Sequence, residues 1–352
     1  MRAVVLLLLA SACKAPLEPI EEPLDALLEH GPYSAGYTEQ SVTYDPGDGP
    51  REIRLAVWYP SDAPELPGFR YDGIWPAGEV AVDGAVAAGA FPLAIYSHGH
   101  QGYAEASSNI LARAVSHGMV VVAPEHLGNT TFSGDRTTDI YWKRPADISA
   151  TLDHVLSTDF PLAASLSDAP ILGLGHSFGG YTMEAVTGAT YATTTLFPAC
   201  AAGEDSPFCS TMTPDQEARF VAGFHDDRVA ALLAMAPGDF RLFETSGLGA
   251  IGVPVFLLTG GLDDVQQGDL QWSGLDRQGD FRAHLEDYGH LAFTDFAPDG
   301  LPDVYPETAW SVLGAWVVAF QRHIVGDVSV EPLFSGEDPP FGSSTTLVIG
   351  GR

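Results

Sequence analysis

The stretch ILGLGHSFGGYTMEAV, residues Ile171–Val186, decides how this chain is read. An apolar run ends in Gly175-His176-Ser177-Phe178-Gly179, and a helix-compatible segment follows. A serine on a tight strand-to-helix turn projects its hydroxyl into the open, and small neighbours let that turn close. The helix behind it aims its first amides and positive dipole end at negative charge gathering there. In a chain with 38 glycines the five-residue pattern alone carries little weight. The strand before it, the helix after it and the residues downstream make Ser177 the expected nucleophile.

Working outward, short apolar runs alternate with helix-length segments. The runs are Pro92–Tyr96, Met119–Ala123, Pro170–Leu174, Val229–Met235 and Val253–Leu258. Strands buried on both faces lose polar alternation, so these runs predict a parallel sheet covered by helices. Helices are expected near Ala104–Ser116, Arg144–Leu156, Gly179–Val186 and Glu307–His323. Before them, Tyr37–Tyr44 and Arg51–Tyr59 alternate around a Pro-Gly-Asp-Gly turn and read as a hairpin. The fold class is therefore α/β: a doubly wound, mostly parallel sheet with antiparallel N-terminal strands. The segment 188–220 fits neither a simple strand nor a simple helix; it is expected to cap the site, or else to be an irregular surface loop. Residues 326–352, rich in Gly, Pro and Ser, are expected to wrap the surface or extend from it.

The chain has 352 residues, with 46 acidic against 16 basic side chains and a formal net charge of −30. Such a surface repels phosphate backbones and anionic headgroups, which argues against nucleic-acid binding. MRAVVLLLLASAC at the start has one arginine, an apolar run too short to span a bilayer, and small residues before Cys13. That pattern is similar to a bacterial lipoprotein signal, with residues 1–12 removed, Cys13 lipidated and residues 13–35 as a tether; an ordinary cleaved signal is the alternative. The expected location is outside the cytoplasm, with membrane contact through the lipid anchor alone. The other two cysteines, Cys200 and Cys209, are expected to form a disulfide closing a small loop in that setting.

A serine hydroxyl needs a base to take its proton, and the base needs a third group to hold its tautomer. In this fold class the chain order is serine, acid, histidine. His290, in EDYGHLAFTDF just before the last helix, is the expected base; His225, His284 and His323 sit less well. The acid is expected at Asp263, after the strand Val253–Thr259, with Asp264 next and Asp239 as a third option. Backbone N–H groups of Phe178 and His100 are the expected oxyanion donors. His98 and His100 form an H-x-H pair, but no second ligand cluster accompanies them and the chemistry requires no metal or organic cofactor.

Over Arg51–Ile324 the chain resembles the bacterial branch of the platelet-activating-factor acetylhydrolase-like and predicted dienelactone hydrolase group of α/β-hydrolases. The resemblance rests on LAVWYP (Leu55–Pro60), YSHG (Tyr96–Gly99), VVAPEHLGNT (Val121–Thr130), RPADISATLD (Arg144–Asp153), GHSFGG (Gly175–Gly180), DDRVAALLAMAP (Asp226–Pro237) and GHLAFTD (Gly289–Asp295). It implies one hydrolase domain over residues 36–325, with Ser177, His290 and an aspartate as triad. The acetylhydrolases place their acid where Asp239 lies; most other members place it where Asp263 lies. True dienelactone hydrolases use a cysteine nucleophile, which Ser177 replaces here. The implied activity is hydrolysis of a small-molecule, lipid or polymer ester, with a short acyl group. Competing readings are an acyltransferase or polyester hydrolase using the same triad, and a non-catalytic lipid-anchored binding protein on the same scaffold.

Overall fold

The computed structural model describes residues 24–71, 75–76, 80–133, 136–296, 306–338, 340–342 and 344–351. Residues 1–12 and Cys13, read above as signal and lipid attachment point, lie outside the described residues. Among the described residues no helix is long and apolar enough to cross a membrane.

A hairpin opens the fold, β1 (Ser34–Tyr44) against β2 (Arg51–Ser61), antiparallel throughout. Three two-residue strands follow: β3 (Arg70–Tyr71), β4 (Trp75–Pro76) and β5 (Ala81–Val82). Then come β6 (Leu93–Ser97), α1 (Ser108–Ser116), β7 (Val120–Pro124), α2 (Thr138–Val155), β8 (Ile171–His176) and α3 (Phe178–Val186). The chain continues through α4 (Thr193–Ala201), α5 (Pro214–Ala222), β9 (Val229–Met235), α6 (Glu244–Leu248), β10 (Val255–Leu262), α7 (Gly268–Leu275) and β11 (Phe281–Gly289). It ends in α8 (Pro306–Ile324), α9 (Glu331–Ser335) and β12 (Thr345–Ile349). One sheet holds ten strands in the order β12-β11-β10-β9-β8-β6-β7-β2-β1-β5. Its centre, β7 through β11, is parallel.

Successive side chains on a strand point to opposite faces, so the central apolar runs feed two cores at once. Ala94 and Tyr96 face the layer of Ile110, Leu111 and Trp316, from α1 and α8. Leu93 and Ile95 face the layer of Ile148, Leu152, Tyr181 and Met183, from α2 and α3. The chain proceeds from β6 to β7 on one side and then to β8 on the other. That reversal opens a crevice at the carboxyl ends of β6 and β8, where open α/β sheets place their sites.

Four boundaries differ from the sequence reading. The end of the expected tether is folded: residues Leu24–Leu28 form a short 3-10 helix with Leu27 buried, and Arg113 Nη1 donates to the Leu28 carbonyl at 2.6 Å. The C-terminal stretch also joins the body, since Leu333, Phe334 and Phe341 are buried and β12 pairs antiparallel with β11. Helix α2 starts at Thr138 and carries Pro145 inside it. Proline has no N–H for the carbonyl four residues earlier, and the Tyr181 hydroxyl takes that Tyr141 carbonyl instead, at 2.7 Å. The segment 188–220 is helical, stapled by the Cys200–Cys209 disulfide, and buries Leu196, Phe208 and Phe220 in the core. Phe208 packs on Tyr141, which packs on Phe178, so this segment buttresses α3 instead of lying as a loose surface loop.

Candidate active site

Ser177 stands between β8 and α3 with φ 54° and ψ −118°, a conformation non-glycine residues rarely hold. Two hydrogen bonds fix it there: its N–H donates to Met235 O at 3.0 Å and its carbonyl accepts from Gly238 N at 3.2 Å. The flanking glycines are sterically required. A Cβ at Gly179 would run into the Ser97 carbonyl and come within 2.8 Å of His98 O; one at Gly175 would meet the Gly179 carbonyl. The chain can turn this sharply only without those side chains.

The Ser177 hydroxyl lies 2.8 Å from His290 Nε2, and His290 Nδ1 lies 2.9 Å from Asp263 Oδ1. Asp263 comes from the end of β10 and His290 from a 3-10 turn directly after β11. Three groups separated by 86 and 27 residues thus form one hydrogen-bonded line. Burial alone would raise the Asp263 carboxyl. The His290 imidazole and the Val265 amide outweigh it and hold this carboxyl below the usual carboxylate range. It is therefore ionised at neutral pH and able to steady an imidazolium.

The other acid candidates lie elsewhere. Asp264 is exposed. Asp239 is ion-paired with Arg136 at 2.7 Å. His284 bonds Thr259 at 3.0 Å, His323 bonds Glu331 at 2.7 Å, and His225 faces Asp227 at 3.5 Å. None of them reaches Ser177.

The His290 turn is held from two sides. His176 Nε2 donates to the His290 carbonyl at 2.9 Å, and its ring lies 5.0 Å from the His290 ring. Burial, then the neighbouring His290, lowers the His176 imidazole to about 3, which leaves it neutral. From the other side Ser107 Oγ donates to Phe293 O at 2.8 Å, and the partly buried Asp295 carboxyl accepts from Ser108 Oγ at 2.5 Å. Nothing in the sequence marks His176 or Asp295 as supports; only their position in GHS and FTD hints at it.

The loop after β6 is held by a buried cation. Arg144 donates to Ser97 Oγ at 3.1 Å, to the His98 carbonyl, to Asn129 Oδ1 at 2.8 Å and to Thr182 Oγ1 at 3.0 Å. Asn129 Nδ2 in turn donates to His100 Nδ1 at 2.9 Å. Arg144 also lies 4.8 Å from the centre of the Phe178 ring. Desolvation lowers this guanidinium to about 9, against the opposing charge of Asp147. His100 and Phe178, the expected oxyanion donors, accordingly sit on adjoining elements with their rings 6.3 Å apart. His98 spends both ring nitrogens inside the fold: Nδ1 donates to Gly99 O and Nε2 accepts from His126 N. Among the described residues no cluster of three metal-ligating side chains is found.

A nucleophile, a base and an orienting carboxylate in this order can carry acyl transfer through a covalent intermediate. The Chlorophyllase family model matches residues 75–203, a stretch that includes Ser177 and the loop after β6 but neither Asp263 nor His290. Among solved structures, a ferulic acid esterase from Streptomyces cinnamoneus superposes with a TM-score of 0.58 at 17% identity, covering 83% of this chain and 90% of that one. The chain has the α/β-hydrolase fold. Among curated proteins, the D-galactonate dehydratases of Xanthomonas campestris pv. campestris strains B100 and 8004 are 35% identical over 83 residues. That covers 24% of this chain, and the chain spans about a fifth of the length of those relatives, 22%. So short a likeness carries no activity across.

Proposed function

We propose that this protein is a serine carboxylic-ester hydrolase in which Ser177, His290 and Asp263 form the triad. The observation that carries the reading is the continuous line Ser177 Oγ, His290 Nε2, His290 Nδ1, Asp263 Oδ1, with both bonds under 3 Å. The Chlorophyllase-family match and the esterase neighbour support an ester hydrolase of this fold.

His290 takes the Ser177 proton as Oγ attacks the ester carbonyl carbon, and Asp263 stabilises the imidazolium. The carbonyl oxygen, now negative, is held by the N–H groups of His100 and Phe178. The C–O bond to the leaving group breaks as His290 returns the proton to the departing alcohol. Water then attacks the acyl-serine, giving its proton to His290, and the acid leaves with Ser177 restored. Small-molecule esters are the proposed substrates, with lipid and polymer esters within the same chemistry. Export and anchoring through a lipidated Cys13 belong to the same proposal.

The test is hydrolysis of p-nitrophenyl esters of increasing acyl length by the protein without residues 1–12 and by its Ser177→Ala variant. Cleavage by the parent and its loss in the variant support the reading. Full activity in a folded Ser177→Ala variant sinks it. Adding a competing alcohol and analysing products separates hydrolysis from acyl transfer to a non-water acceptor.

A further inference from the structure

Asp239, one of the three aspartates that follow late strands, pairs with Arg136, while His290 bonds Asp263. The pair is placed beside the nucleophile by the backbone. Asp239 is left-handed, φ 58°, and directly follows Gly238, whose N–H holds the Ser177 carbonyl. Its loop is pinned from α7 as well: Gln271 Nε2 donates to Gly238 O at 3.0 Å, and Phe240 N donates to Gln267 Oε1 at 2.8 Å. Arg136 lies 4.5 Å over the Phe178 ring, the residue next to Ser177. A strained aspartate fixed on both sides, opposite an arginine stacked on the elbow, is over-determined for a surface ion pair.

The pair also keeps unused hydrogen-bonding capacity. Arg136 uses Nη1 alone, on Asp239 Oδ2 at 2.7 Å and on the Tyr141 hydroxyl at 3.5 Å. Among the described residues its Nε and Nη2, and Asp239 Oδ1, have no other partner. The two side chains remain 25% and 21% exposed, so they are reachable from solvent.

Resting on the esterase reading above, we propose that Arg136 and Asp239 form a subsite that binds a neutral hydroxyl of the ester substrate and so determine specificity for hydroxyl-bearing esters. A hydroxyl can donate to Asp239 Oδ1 and accept from Arg136 at once. A carboxylate can only accept, and it would face the Asp239 charge in a chain of net charge −30. An ammonium can only donate and would face Arg136. A site that hydrogen-bonds a substrate hydroxyl from both sides discriminates against the analogue that lacks it, because that analogue forgoes both bonds.

The experiment compares kcat/KM for p-nitrophenyl butyrate with its 2-hydroxy and 3-hydroxy analogues, and for ethyl with 2-hydroxyethyl butyrate. The wild-type chain is set against Asp239→Asn, Arg136→Met and the double variant. We expect wild type to prefer one hydroxyl ester by about tenfold or more. In the variants that ratio falls towards one, and the double variant loses no more than the worse single. Asp239→Asn keeps the size of the side chain and carries the test if Arg136→Met does not fold. Cleavage of every ester without preference, or variants that slow plain and hydroxyl esters equally, overturns the subsite alone. Cleavage of no ester by folded wild type overturns the esterase reading and the subsite with it.

Discussion

The imidazole of His176, the residue before the nucleophile, donates to the backbone carbonyl of His290, the proposed base, at 2.9 Å. The strand that presents Ser177 therefore also fixes the turn that presents His290. Replacing His176 by Phe removes the donor and leaves a carbonyl unpaired, at a cost of about 1–3 kcal/mol. If that cost falls on the alignment of His290, kcat drops roughly ten- to hundredfold with KM little changed. His176→Gln, which keeps a donor, should recover part of the loss. Steady-state kinetics on a p-nitrophenyl ester reads both; equal losses in the two variants would contradict the positioning role.

Asp263, not Asp239, reaches His290, so the two aspartates should separate by kinetics. Asp263→Asn is expected to lower kcat by about 10³–10⁴, as loss of an orienting carboxylate does. Asp239→Asn should cost a plain ester far less. Reversed magnitudes would move the acid to Asp239.

Gly179 faces the backbone carbonyls of Ser97 and His98, neither of which is the end of a flexible side chain. Gly179→Ala should therefore displace the elbow or the loop after β6 and abolish most esterase activity. A variant that folds and retains more than about half of wild-type kcat/KM would contradict this account of the turn.

Asp295 is partly buried just after the His290 turn, and desolvation raises its carboxyl to about 7 although Ser108 and the Asn109 amide hydrogen-bond it. A carboxyl raised on folding contributes stability that is full below its unfolded value near 4 and is lost as pH climbs through about 7. Denaturant midpoints should fall across that window. The loss attributable to this group is up to roughly 4 kcal/mol. Asp295→Asn should flatten the profile over the same range; an unchanged slope would assign it to other groups.

The Cys200–Cys209 disulfide closes a loop of nine residues' separation in the segment that buttresses α3. Restricting a loop of that size in the unfolded chain stabilises by about 2–3 kcal/mol. The Cys200→Ser, Cys209→Ser double variant should lose that much in urea unfolding, and reductant should have the same effect on wild type.

Much of this architecture was legible in the sequence because its signals are local. Uninterrupted apolar runs announced strands buried on both faces, and Gly-x-Ser-x-Gly between a run and a helix announced the elbow. The order serine, aspartate, histidine narrowed the partners, but Asp239, Asp263 and Asp264 all follow late strands and look alike in sequence. Only the lateral order of β9, β10 and β11 decides which carboxylate meets an imidazole. Composition left both ends open: residues Leu24–Leu28 of the expected tether, and the C-terminal stretch expected to wrap the surface or extend from it, dock through a few apolar residues, Leu27, Leu333, Phe334 and Phe341. Likewise 188–220 reads as irregular because its helices are short, while its aromatic side chains find partners on one another, on Tyr141 and Tyr181 of α2 and α3, and on Phe243. Sequence by itself determined what can be a strand, a helix or a sharp turn, since those depend on near neighbours. The tertiary structure alone decided which distant side chains meet, because strand order and layer packing set distances that no spacing along the chain encodes.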